Sequence, residues 1–402
     1  MRATSDVAGE REPARDAATG RGVLPAQALR RAIADGVIRS ARKIEDAQIQ
    51  PASLDLRLGS KAYRLRSSFL PGAARIRDRL HDLQVGPALD LDNPDGAVLN
   101  PGHPYLIELM ERVRLPAGTR AVANPRSSTG RLDIFTRVIA ERATQFDAIE
   151  PGYEGSLWLE IYSNTFTIGV RSGLSLAQLR LSTSDEALTA TEIERLHADK
   201  GLVFAPGGEP RQPVAEPAIG NRGLLINVGL PNGNEYVGWR AKHHTPLLDL
   251  SQTAEYDALD FWEPVRAERG GRLVLNPDDF YLLISREYVR IPPNVAAEMV
   301  AYDPTNGELR THYAGFFDPG FGYGAKVSGT RAVLEVRAHD VPFMLEDGQP
   351  IARLAYEYMA EPPDRLYGDD TLTSHFQRQA INLSRQFRPI EGAITFQFLR
   401  NE

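Results

Sequence analysis

This 402-residue chain reads as a mainly β protein of two tandem domains, each an antiparallel barrel or sandwich with a few short helices. Three observations carry that expectation. Apolar residues alternate over short runs, at 54–58, 105–109, 157–162, 281–284 and 332–336, the period-2 pattern of strands with one buried face. Turn residues punctuate the runs, with 34 Gly and 28 Pro, enough to close many hairpins. Finally, the sequence repeats itself, the mark of a duplicated unit.

Val98-Leu99-Asn100-Pro101 recurs as Val274-Leu275-Asn276-Pro277, and Val113-Arg114-Leu115-Pro116 as Val289-Arg290-Ile291-Pro292, both shifted by 176 positions. Pro151-Gly152-Tyr153 answers to Pro319-Gly320-Phe321 at a shift of 168, which places extra residues of the first copy between Arg131 and Glu150. Glu160 then answers to Glu335, and Gly173 to Gly348, at 175. More loosely, 54–58 aligns with 226–230. Residues 22–36 read as one amphipathic helix, with Leu24, Leu29 and Ile33 near helical spacing. A helical pattern at 190–200 and a Pro/Gly-rich run at 206–217 read as a linker. The expected division is a disordered tail at 1–20, a first domain at 21–182, a linker at 183–219 and a second domain at 220–402.

Composition narrows the function. Apolar residues at 42% and charged residues at 25% fit a folded chain, and no apolar run approaches the length of a membrane helix. A soluble chain is therefore expected, and with no cysteine a reducing compartment, the cytoplasm, is the default. A formal charge of −7 opposes binding of a nucleic acid polymer, which draws on a basic face. The absence of cysteine excludes disulfides and any thiolate zinc site. His243-His244 are given no metal role, because adjacent strand residues point apart and no third ligand stands nearby.

Alternation at 157–162 puts Trp158, Glu160 and Tyr162 on one face. A carboxylate between aromatics is expected to be partly desolvated, which raises its proton affinity toward the range of a general base. On the strand alone, a solvent-facing acid is the stronger reading; recurrence as Glu335 shifts the balance toward a role. Arg126-Ser127-Ser128-Thr129-Gly130-Arg131 forms a turn or helix start whose hydroxyls and guanidinium groups can bind anionic oxygen.

Three stretches together are specific: the run from Gln50 to Gly59, the Arg-Ser-Ser-x-x-Arg loop, and the Pro-Gly-Tyr-x-Gly-x-Leu-x-Leu-Glu run that ends at Glu160. In this order they resemble the dCTP deaminase family, relatives of the trimeric dUTPases, and the chain resembles its long, two-copy bacterial forms. The resemblance implies dUTPase-like distorted β-barrels, a homo-oligomer, a trimer or a multiple of trimer-like units, with active sites between subunits, and conversion of dCTP to dUTP and ammonia. It implies no catalytic zinc, with Mg²⁺ accompanying the triphosphate. Carried over by motif, Glu160 is the general base, while Ser127 and Arg131 hold the water, the carboxylate and the cytosine amine in register. Arg126, Ser128, Glu150, Tyr153 and Gln178 contact the nucleotide, and the tail at 374–388 closes over it.

Two other readings stay open. Ile149-Glu150-Pro151-Gly152-Tyr153-Glu154-Gly155 has the outline of a dUTPase motif, so dUTP diphosphatase activity is possible alone or after deamination. A nucleotide-binding regulator without turnover is the alternative outside enzymes. In the second copy, Tyr302-Asp303-Pro304 stands where Arg126 to Ser128 would be. That copy is expected to be silent, or to supply structure and a lid.

Overall fold

The computed structural model describes residues 20–207, 211–220, 223–231, 236–301, 309–311, 315–324, 328–338, 340–369 and 383–390. All but one residue of the expected N-terminal tail, and the loop at 302–304, lie outside them.

In the first copy one sheet bends round on itself. Its hydrogen-bonded neighbours are, in order, Ile134–Ala140, Glu154–Ser163, Pro104–Arg114, Leu54–Arg64, Ser175–Ser182, Arg120–Pro125 and Ala148–Ile149, all antiparallel. Leu54–Arg64 serves both halves: its start pairs with Ser175–Ser182 and its end with Pro104–Arg114. In the second copy that strand is split into Gly223–Asn227 and Tyr236–Ala241. Two sheets result, one centred on Tyr236–Ala241, Phe280–Val289 and Thr330–Ala338, the other on Gly223–Asn227, Pro350–Tyr358 and Val295–Ala301.

Ladder register tests the repeat residue by residue. Glu160 lies opposite Leu106, and Glu335 opposite Leu282, as the duplication requires. Leu56 faces Ala177 and Ile226 faces Ala352, so Leu56, not Leu54, is the counterpart of Ile226. The loose alignment at 54–58 is thus corrected by two residues, an even slip that keeps every side chain on its face.

The expected linker is part of the second domain. Helix Ala190–Lys200 opens on a Thr189/Glu192 capping box and buries Ile193 and Leu196 in the second core. Val203–Phe204 pairs with Val289 and Tyr288. This helix repeats Ala26–Ala34, whose Leu29 packs into the first core. The second domain therefore begins near Leu188 and not at 220.

The two copies share a core. Trp239, Phe261, Trp262, Phe280, Leu282 and Ile284 of the second copy pack into the same cluster as Leu56, Ile107 and Phe166 of the first. Full burial of such side chains contributes roughly 2 kcal/mol each, which welds the copies. Leu248–Asp249 adds a parallel strand to Ile168–Val170 of the first copy. At the other end Val23 donates to Tyr358 O (2.9 Å) and accepts from Ala360 N (2.8 Å).

Candidate active site

Strand Arg120–Pro125 ends at a proline, and Arg126 turns the chain into the four-residue helix Ser127–Gly130. Register places Asp55, Gln178 and Asn124 side by side across three strands just before this turn. Arg126 Nη1 lies 3.1 Å from Asp55 Oδ2. Burial pushes the Asp55 carboxyl up to about 6, with Arg126 opposing and Asp318 of the second copy adding. Gln178 is buried, and its Oε1 accepts from Ser53 Oγ at 3.4 Å. Ser127 is exposed, while the carbonyl of Ser128 accepts from Ser384 Oγ of the C-terminal tail at 2.7 Å.

The second copy delivers its own groups to this loop. Strand Thr330–Ala338 alternates cleanly: Ala332, Leu334 and Val336 enter the second core, while Val333, on the opposite face, packs on the first. Glu335 shares that outer face and meets Gly130, where an added Cβ would lie 2.5 Å from its Oε2. Burial pushes the Glu335 carboxyl well above its ordinary range; Arg131 opposes the shift and Asp133 adds to it. Burial likewise lowers the Arg131 guanidinium, with Glu335 and Tyr367 opposing. Asp318, just before Pro319-Gly320, is raised by burial and receives Arg180 Nη2 at 3.3 Å. Phe321 stacks edge-on against Phe317 (4.9 Å) and tilted against Tyr367 (5.3 Å).

The tail completes the enclosure. Ala254 N donates to Arg385 O and Arg388 N to Tyr256 O, both at 2.9 Å, and Phe387 packs 5.4 Å from Phe261. Burial lowers the Arg385 guanidinium, with Arg126 adding and Asp55 opposing. Residues 374–382 of the expected closing tail lie outside the described residues.

Several expected site residues stand elsewhere. Glu160 is 1% exposed, but it is paired inside its own copy. Arg137, directly opposite in register, donates to Oε1 from Nε (3.0 Å) and from Nη2, and Ser68 Oγ donates to the same oxygen at 3.1 Å. Oε2 makes no hydrogen bond among the described residues. Leu65 and helix Ile76–Leu83 cover this face by packing on Trp158, and Arg137 lies 4.1 Å from the Phe146 ring centroid. The expected isolation of Glu160 between aromatics is replaced by an ion pair. Within the chain, Glu335 and not Glu160 is the carboxylate beside Arg131.

Glu150 is exposed. The Tyr153 hydroxyl donates to Ser156 O (2.6 Å) and accepts from Glu141 N (3.1 Å), which ties its ring beneath its own hairpin and not into a cleft. The structure therefore gathers Arg126, Ser127, Ser128, Arg131 and Gln178, and sets Glu160, Glu150 and Tyr153 apart from them. In their place stand Glu335, Asp318 and Phe321, the matching positions of the second copy. Asp55, Tyr367 and Arg385 also join.

A signal for this lay in the repeat. The first copy keeps the Arg-Ser-Ser loop but carries Glu150 before Pro-Gly; the second keeps Asp318 and Glu335 but has lost the loop. The first copy keeps Glu160 as well, so the duplication leaves one such loop and two candidate glutamates. No group of three or more His, Cys, Asp or Glu placed to hold a metal occurs among the described residues. His243 instead bonds Asp279 Oδ1 through Nε2 at 3.0 Å. No described helix is long and apolar enough to cross a membrane.

Comparison with known proteins agrees with this architecture. Family models described as the N-terminal and C-terminal domains of 2'-deoxycytidine 5'-triphosphate deaminase match residues 20–185 and 189–387. A crystal structure of 2'-deoxycytidine 5'-triphosphate deaminase from Agrobacterium tumefaciens is 47% identical, with a TM-score of 0.78, over 85% of this chain and 99% of that one. A dCTP deaminase from Halorubrum lacusprofundi is 31% identical over 33% of this chain, which spans 63% of that protein's length. A "dCTP deaminase, dUMP-forming" from Sulfurihydrogenibium is 31% identical over 39% of this chain and 81% of its own. With motif order, duplicated fold and both domain matches in agreement, the chain belongs to the dCTP deaminase family, in a tandem-duplicated form.

Proposed function

We propose that the chain hydrolyses the exocyclic amine of dCTP to give dUTP and ammonia, at one site built between its two copies, with Glu335 as the proton-transferring base. The observation that carries this reading is the approach of Glu335 from the second copy to Gly130 and Arg131 of the first. Hydrolytic deamination adds water at C4, requires a proton at N3 and then needs another at the departing amine. A half-buried carboxyl with raised proton affinity suits every transfer, because it takes the proton from water and gives it back within one pocket.

Arg131 steadies the Glu335 carboxylate, and exposed Ser127 is free to orient the water and the amine. Arg126 and Arg385 bring positive charge to the triphosphate, with Ser128 beside them and Mg²⁺ arriving as part of the nucleotide. Asp318 meets the sugar hydroxyl, Phe321 packs on the deoxyribose, and Gln178 lies along the nucleotide. Such a site is complete within one chain. The homo-oligomer implied by the resemblance would gather finished sites and would not create them.

Incubation with dCTP, CTP or dUTP plus Mg²⁺, followed by chromatography of products, tests the reaction. The expected result is dUTP with one equivalent of ammonia from dCTP, and dUTP left intact. The dUMP-forming activity named for the Sulfurihydrogenibium relative keeps a second reading in view, which dUMP and pyrophosphate would reveal. Nucleotide bound for hours without product would instead mark a regulator.

Gly130 offers an independent check. Its Cβ would collide with the flexible end of Glu335 and with no backbone atom nearer than that, so Gly130→Ala should fold normally while displacing the base. A loss of about 10- to 100-fold in turnover is expected for a shift of this size, with the melting temperature little changed. Wild-type turnover in this variant would show that Glu335 need not sit there.

A further inference from the structure

We propose that the Asp133–Arg337 ion pair, which joins the first copy to the second, is a positioning pair that sets the Glu335 carboxyl against Arg131. The inference rests on the assignment of Glu335 as base. Arg337 lies two residues beyond Glu335 on one strand, and so on the same face. Asp133 lies two residues beyond Arg131 in the loop that follows the short helix. The copies therefore meet through two adjacent rungs of opposite polarity: Arg131 faces Glu335, and Asp133 faces Arg337.

The second rung is built for rigidity. Asp133 is fully buried with a backbone φ of +57°, a left-handed conformation that aspartate tolerates better than most residues. Its Oδ2 accepts from Thr165 Oγ1 at 2.6 Å and from Arg337 Nη2, and its Oδ1 from Asn164 Nδ2 at 3.2 Å. Arg337 also donates through Nη1 to Asp278 O and through Nη2 to Thr165 Oγ1 at 3.3 Å. A buried carboxylate held by this many donors persists only where its partner stays in place. The matching position in the first copy is Tyr162, so the arginine occurs only on the strand that brings its glutamate to the site.

Among the described residues, Arg131 and Asp133 from the loop face Glu335, with Tyr367 behind Arg131; Arg337 stands on its own strand, and on the adjoining strand Leu309–Thr311 Arg310 lies opposite Arg337 in register. Its neighbour on Phe280–Val289 is the uncharged Leu282. Removal of Arg337 takes one cation away from Asp133 and so strengthens the negative field at Glu335, which favours the protonated acid. Removal of the Asp133 charge does the opposite.

The test is the pH profile of kcat/KM for dCTP in wild type, Arg337→Gln, Asp133→Asn and the double variant. Arg337→Gln should lose about tenfold or more in kcat with KM within about threefold, and its acid limb should move up by about one pH unit. Asp133→Asn should move the limb down, the double variant should return it near the wild-type position, and Arg337→Lys should recover most of kcat. Limbs that stay put in both single variants, however slow the enzymes, would overturn the proposal and leave only a structural tie. If Arg337→Gln does not fold, the limb of Asp133→Asn decides alone: a downward move supports the pair and no move sinks it. Glu335→Gln run alongside separates the two failures. Its inactivity with unmoved limbs condemns only the pair, whereas its survival condemns the base.

Discussion

Glu335→Gln is expected to lower dCTP turnover by about 10³-fold while nucleotide affinity stays within about threefold, and Glu160→Gln to leave turnover within about threefold. The two glutamates occupy the same place in the repeat, each opposite a leucine on the neighbouring strand, so strand context cannot separate them. Their partners do. Glu160 accepts from Arg137 and Ser68 under a helix of its own copy, away from the Arg126 to Arg131 loop, and is expected to take no part in turnover. Glu335 keeps some accessible area and lies between Arg131 and Asp133, with its carboxyl pushed upward by burial. The amide in Glu335→Gln has nearly the same shape and can hold the nucleotide, but it cannot carry a proton. The pH profile follows the same sign. Because the base acts in its ionised form and its folded value is raised, activity should fall as pH drops through a point above the usual carboxylate range. Steady-state kinetics with ammonia release and nucleotide titration on each variant read all three quantities. Loss at Glu160 with survival at Glu335 would move the reaction to a face of the first copy that this chain closes for itself.

The β architecture and the duplication were legible because they are properties of pattern. Alternation fixes which face of a strand is buried, and a repeated block fixes the frame, so even the two-residue slip at Leu56 left the sheet correct. Periodicity shows Ala190–Lys200 as a helix but not its place in the second core, since it reports a face and not what that face will meet. Within the site, the loop Arg126 to Arg131 is legible because its chemistry is local. Glu160 and Glu335 carry the same motif, so pattern alone does not separate them; packing between copies, through Val333, Trp239, Trp262 and Leu282, is what brings Glu335 to the loop. Tyr153 and Phe321 show the same limit of pattern. The tyrosine ring sits in the expected motif, yet a hydroxyl with a carbonyl three residues away satisfies itself at home, whereas Phe321, with no hydroxyl to bond, stacks on aromatic neighbours. Asp55, Tyr367 and Arg385 come from three distant parts of the chain, and no spacing rule links them.

Arg137→Met is expected to destabilise the fold by about 3 kcal/mol, a fall in melting temperature of roughly 4 °C for a chain of this size, without loss of dCTP turnover in the folded protein. Among the described residues, the guanidinium supplies two of the three hydrogen bonds to Glu160 Oε1, and Oε2 has none. Removing it strands a charge that is 1% exposed, with Ser68 as its one remaining donor. The cost belongs to the low end of values for broken buried pairs, because Arg137 itself is 23% exposed and water can reach part of the gap. The double variant Arg137→Met/Glu160→Met should recover most of the loss, since two apolar side chains then pack beside Phe146, Trp158 and helix Ile76–Leu83, and no charge remains to be desolvated. Thermal melts of the two single variants and the double form a cycle whose coupling measures the pair directly. Strong coupling would mean that the first copy has converted its own glutamate from a site residue into a structural one, with the helix holding the face shut. Additive effects would mean that the apolar cover alone closes that face and the ion pair contributes nothing to it.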